Sequence, residues 1–137
     1  MLKLNYRNIH PGDLVATRYG YYIQVMKVDK NYVVSSKNLE YEYSELEPIP
    51  ITKKILIDHL EADYVESKTT QMNEFQFGKF EKLLVDFDGD SLRRLVWIDS
   101  VNKKVSEILC LKYFHELQQY FYQDIYKGDR ELPIIVD

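Results

Sequence analysis

Two stretches of the chain carry side chains at spacings that catalysis uses. Leu84-Val85-Asp86-Phe87-Asp88-Gly89-Asp90-Ser91 reads as an apolar strand ending in Asp-x-Asp-Gly, the pattern in which one carboxylate attacks phosphorus and the next donates a proton around Mg²⁺. That chemistry sits at the end of a parallel strand and needs several βα units after it. Only 46 residues follow Ser91, and Asp90 stands where a threonine is required. A Ca²⁺ loop fares no better, because it wants a glycine at its sixth position and a bidentate glutamate at its twelfth. The expectation is a solvated hairpin tip at Asp88-Gly89. His115-Glu116-Leu117-Gln118-Gln119 opens like a hydrolytic zinc motif, in which two histidines one helical turn apart hold the metal and the glutamate is the base. Gln119 occupies the second histidine's place, and a neutral amide is a poor zinc ligand. The expectation is a helix whose His115 and Gln118 bond neighbouring backbone while Phe114, Leu117 and Phe121 pack.

Cys110 and His115 are a further nucleophile and base pair on paper. Cys110, however, lies in the apolar run Ile108 to Leu111, where burial raises a thiol's pKa, so a core position is expected for it. The five glycines stand alone, with no Gly-x-Gly or Gly-Lys-Ser/Thr run to cradle phosphate. His10 and His59 belong to no ligand-spaced cluster. The reading is therefore non-enzymatic, with no cofactor, no metal and no catalytic residue assigned.

Tyrosine is the unusual residue: 12 in all, with Tyr19, Tyr21, Tyr22, Tyr32, Tyr41 and Tyr43 in the front third. A small barrel cannot bury six such rings. Side chains with one apolar body and one wet end suit binding faces, so these six are the candidate binding residues, either as an interaction face or as the seam between the two halves of the chain. A second cluster, Tyr113, Tyr120, Tyr122 and Tyr126, surrounds the last helix and would cover that seam or a self-association surface.

Charge narrows the partner. The net charge of −4 from 18 basic and 22 acidic residues disfavours non-specific binding to phosphate backbones. Up to Leu46 there are 6 basic and 5 acidic residues, and beyond it 12 and 17, so only the front part can face nucleic acid. There Arg7, Arg18, Lys27, Lys30 and Lys37 would supply cations near Tyr19, Tyr22 and Tyr32. The favoured partner is a protein or a second copy of the chain, with nucleic acid as the alternative.

These residues need elements to hold them. With 137 residues, 45% of them hydrophobic, the chain has room for one domain of ordinary size or two small ones sharing a core. Pro11-Gly12-Asp13 precedes the run Leu14 to Tyr19, and Gly20 separates it from Tyr21 to Val28. A turn at Asp29-Lys30-Asn31 leads to Tyr32-Val33-Val34-Ser35, and the alternation of Leu39-Glu40-Tyr41-Glu42-Tyr43 predicts Leu39, Tyr41 and Tyr43 on one sheet face. Four short strands with tight turns predict a small barrel, whose closure hides strand edges. Glu47-Pro48-Ile49-Pro50 breaks the pattern, and Thr52 can cap a helix over Lys53 to Glu61. Asp63 to Asn73, with Ser67, Thr69, Thr70 and Gln71, reads as a loop with a frayed strand at Tyr64-Val65. Strands return at Phe75/Phe77, Leu83/Val85/Phe87, Leu92 to Ile98 and Val105 to Leu111. Phe114, Leu117, Phe121 and Ile125 then form a helical stripe that stops at Gly128.

Three segments, Pro11-Gly12-Asp13-Leu14-Val15, Glu47-Pro48-Ile49-Pro50-Ile51-Thr52 and Lys112 to Phe121, together resemble a family of short uncharacterised proteins common in gut-bacterial and prophage-like gene sets. The resemblance spans most of the chain and implies architecture, not activity: a barrel-like front, a helix, a meander and a closing helix.

The expectation is thus an α+β protein, with an SH3-like β-barrel over 1–48 and a helix, antiparallel β-meander and closing helix over 49–137. One cysteine and no apolar run near the ~18 residues of a membrane span place it in the cytoplasm, away from membranes.

Overall fold

The computed structural model describes residues 2–66 and 72–136. Much of the predicted loop, from Ser67 to Gln71, therefore lies outside the described residues. The chain is α+β, with two five-stranded antiparallel sheets and, among the described residues, two short α-helices. It divides into two compact units, one of residues 2–50 and 113–132, the other chiefly of residues 51–112. The closing helix thus belongs with the front strands.

In the first unit the strands are β1 (Leu14–Thr17), β2 (Tyr22–Val28), β3 (Tyr32–Ser35), β4 (Glu40–Glu42) and β5 (Leu46–Glu47), in sheet order β4-β3-β2-β1-β5. β2 is shared. Its first residues pair with β1, as in Val15 opposite Ile23, and its last pair with β3 beyond a bulge between Val25 and Lys27. A bulge bends and twists the strand that carries it, which lets one strand serve two directions of pairing. The inward positions Val15, Ile23, Val25, Val33, Tyr41 and Leu46 form a single core with Leu4 and Ile9. Among the described residues no ladder joins β4 to β5, so hydrogen bonds do not close the expected barrel. β5, two residues long, spends its pairing on Ala16 and Thr17 of β1.

The predicted shared face of Leu39, Tyr41 and Tyr43 needs correction at Leu39: Tyr41 is in the core and Tyr43 packs partly buried against it, but Leu39 does not. A bond from the Ser35 amide to the Leu39 carbonyl closes a turn and leaves Leu39 exposed ahead of the three-residue β4. Glu42 and Glu45 then exchange backbone and side-chain hydrogen bonds as a capping box, and Tyr43 starts a 3₁₀ turn, Tyr43–Glu45.

The second unit opens with α1 (Lys53–His59), capped as expected by Thr52, whose hydroxyl accepts the Ile55 amide. It ends two residues sooner than predicted because Leu60 turns extended and bridges Ile134. The meander is β6 (Asp63–Val65), β7 (Asn73–Phe77), β8 (Glu81–Asp88), β9 (Ser91–Asp99) and β10 (Lys104–Ile108), each paired with the next. Register sets Leu83 opposite Trp97 and Val85 opposite Leu95, a continuous buried face. Asp88 pairs with Ser91 around Gly89, so the acidic motif is the tip of a hairpin, and the Asp86 carboxylate lies 3.6 Å from the Arg93 guanidinium.

Cys110 departs from expectation. β10 stops at Ile108, and Cys110 takes the left-handed backbone conformation at φ 64°, which turns the thiol to solvent instead of the core.

The chain returns to the first unit as α2 (Phe114–Tyr120), continued by a π-helical turn, Phe121–Ile125. Phe114, Leu117 and Phe121 are buried as the stripe predicts, and Gly128 ends the element through its amide bond to the Tyr122 carbonyl. Among the described residues no helix is long and apolar enough to cross a membrane.

Candidate functional site

The β1–β2 hairpin brings two of the six candidate tyrosines face to face. Tyr19 and Tyr21 flank Gly20 at the turn and stack with ring centroids 6.4 Å apart. They are 57% and 47% exposed, so the stack presents its outer surface to solvent. Both rings are tethered. The Tyr21 hydroxyl lies 3.0 Å from that of Tyr41, whose ring is 6% exposed and meets Tyr21 edge-on, and the Tyr19 hydroxyl donates to Glu45 Oε2 at 3.2 Å. The bond from Tyr21 and the ring's burial push the Tyr41 phenol up to about 12. Arg18 lies over the Tyr19 ring, 5.4 Å from its centroid.

The other candidates do different things. Tyr43 donates to the Asp29 carbonyl at 2.6 Å, pinning the 3₁₀ turn to the β2–β3 connection, and burial raises its pKa. Tyr32 pairs with Glu42 and Tyr22 with Ala16 as strand residues. Of the five basic residues considered for nucleic acid, Arg18 alone joins the stack, while Arg7 packs over Tyr6. In the later tyrosine cluster, Tyr126 is buried against Phe121 beneath Arg130, and Tyr113 stacks on His115.

A second site was not legible in the sequence. Asp13 is 3% exposed, and its Oδ2 accepts from the His10 amide at 2.8 Å and from Gln119 Nε2 at 2.7 Å. Gln118 bonds the backbone on either side of it, accepting the Leu14 amide at 2.7 Å and donating to the Gly12 carbonyl at 2.9 Å. Burial pushes the Asp13 carboxyl up to about 7 against the opposing effect of the bonds from His10 and Gln119, and the charge of Glu131 raises it further. Pro11-Gly12-Asp13 signalled only a turn, and Gln118-Gln119 only a spoiled zinc motif. Nothing local joins segments more than a hundred residues apart.

His115, expected to bond neighbouring backbone, is instead 1% exposed with no partner for Nδ1 among the described residues, and burial lowers its pKa. Its ring stacks on that of Tyr113, with centroids 6.1 Å apart. Among the described residues no three His, Cys, Asp or Glu side chains group as a metal site.

No family model matches the chain, and neither a curated protein nor a solved structure is significantly similar to it.

Proposed function

We propose that the protein is a non-enzymatic binding module whose Tyr19–Tyr21 stack receives an extended, positively charged segment of a protein partner. The carrying observation is the stack itself: two exposed rings whose hydroxyls are already bonded to Tyr41 and Glu45. Rings held in place lose little freedom on binding, so the contact area they offer is converted to affinity at low entropic cost. Their faces suit proline rings and guanidinium or ammonium groups. Glu45, bonded to the Tyr19 hydroxyl, puts a negative charge at the edge of the stack, which favours Arg or Lys in the partner.

The front sheet is read as a partly open SH3-like barrel. Its strand order, the shared and bulged β2, and the 3₁₀ turn between β4 and β5 support that reading. A cytoplasmic setting suits a chain whose single cysteine is an exposed free thiol.

The test is an array of decapeptides combining proline with arginine or lysine, with hits titrated by NMR against the wild type, Tyr19→Ala and Tyr21→Ala. Both tyrosines are exposed, so the variants keep the fold, which circular dichroism verifies. The expected result is a hit that shifts the β1–β2 amides and weakens about tenfold or more in each variant. No hit, or a hit indifferent to both substitutions, overturns the proposal. Binding of a single-stranded oligonucleotide that fades with added salt would replace it with the nucleic-acid reading, for which Arg18 over Tyr19 is the supporting contact.

A further inference from the structure

The segment before β1, Gln119 of α2 and Tyr122 of the π-helical turn border a cavity of about 310 Å³, to which Glu131 also contributes. That volume stands at the small end of ligand sites, which run from about 300 to 1,000 Å³. Asp13 lines it. Among the described residues both hydrogen bonds to this carboxyl fall on Oδ2, so Oδ1 of a side chain only 3% exposed is left without a donor. That oxygen is not sealed from solvent, so it is an acceptor open to an occupant of the cavity.

A second carboxylate is drawn in beside it. Glu131 Oε1 lies 2.8 Å from where a Cβ would stand on residue 12, so the glycine there, at φ +98°, both makes the turn and admits the glutamate. Two acids therefore border one cavity, and among the described residues no lysine or arginine lines it. The Gln118 amide is spent on backbone, and Gln119 Nε2 on Asn8 and Asp13. Tyr122, Pro11 and Leu132 contribute apolar surface. Among the described residues no three His, Cys, Asp or Glu side chains come together there as a metal site.

We propose that this cavity binds a small organic cation, a primary ammonium or guanidinium on a short alkyl body, with its charged end between the Asp13 and Glu131 carboxylates and its body against Tyr122 and Leu132. The site is separate from the tyrosine stack and does not depend on the function proposed for it. The titratable groups that line the cavity with Asp13 are His10 on its own segment, Tyr122 on the π-helical turn and Glu131 on the C-terminal segment. Of these, burial together with Glu131 holds the Asp13 proton until near neutrality, so a cation must displace that proton to bind.

The probes are n-butylammonium and n-butylguanidinium, titrated into the full chain and followed by amide NMR and calorimetry, with n-butanol as the neutral control. Expected are shifts centred on Gly12, Asp13 and Gln119, proton release near pH 6, and an affinity that falls about tenfold for each pH unit below 7. Glu131→Gln, a change at an exposed side chain, weakens binding several-fold, and Asp13→Asn abolishes it. Should Asp13→Asn fail to fold, the Glu131→Gln titration and the wild-type pH profile decide. Absence of binding by both cations, equal binding of n-butanol, or an affinity unchanged from pH 8 to pH 5.5 overturns the proposal.

Discussion

The Leu14 amide donates a 2.7 Å hydrogen bond to Gln118 Oε1, joining two residues 104 positions apart in the chain. The same amide side chain donates to the Gly12 carbonyl at 2.9 Å, so one buried glutamine fastens the closing helix to the first strand. Gln118→Ala leaves a buried backbone amide unpaired and is expected to cost about 2–4 kcal/mol. Urea unfolding measures it. A loss under about 0.5 kcal/mol, the size of an ordinary surface substitution, would show the fastening to be dispensable.

Stability should depend on pH through Asp13, whose carboxyl is pushed from 3.8 up to about 7 in the folded protein. The folded state then holds this proton more tightly than the unfolded chain, so its contribution favours folding at low pH and is lost as pH rises from about 4 to about 7, on the order of 4 kcal/mol in all. His115 works the other way. Burial lowers its pKa from 6.5, so its contribution is present above that value and lost as pH falls. Subtracting the Asp13→Asn stability profile from the wild-type profile isolates Asp13, and the difference should decline between pH 4 and 7 and level off above. A difference independent of pH contradicts the assignment.

Tyr41 should ionise well above the usual tyrosine range, its phenol being pushed up to about 12 chiefly by the hydrogen bond with Tyr21 and then by burial. Absorbance titration at alkaline pH should show a late phenolate step, and Tyr21→Phe should move that step down towards 10. An unmoved step would mean that the hydroxyl contact is not what restrains the phenol.

Cys110 should react with a thiol-specific disulfide reagent in the native protein, without denaturant, because the thiol is exposed. Replacing it by glycine relieves a left-handed backbone at φ 64° and should raise stability by about 0.5–1 kcal/mol in thermal unfolding. Labelling that waits for denaturant would place the thiol in the core after all.

Local signals were sufficient wherever structure is local. β3 is the predicted Tyr32–Ser35, the Asp88-Gly89 hairpin forms, Thr52 caps α1, and the stripe Phe114, Leu117 and Phe121 is buried. Alternation, turn residues and helical spacing act over a few residues and are written directly in the chain. They misled where an element ended early. Leu39, Tyr43 and Cys110 each have the pattern of a strand residue, yet a turn bond, a capping box and a left-handed residue stop the strands short.

Composition by itself determined that this chain carries more phenol rings than a small sheet can bury, and its spacing rules determined most of the strands and both helices. Which rings stack, and where a carboxylate loses its water, were decided only in three dimensions. Tyr19 meets Glu45, and Asp13 meets Gln119, because strand pairing and helix packing close long loops. The energy that closes them comes from burying apolar surface, which is non-directional and leaves no mark on the spacing of the polar residues that it brings together.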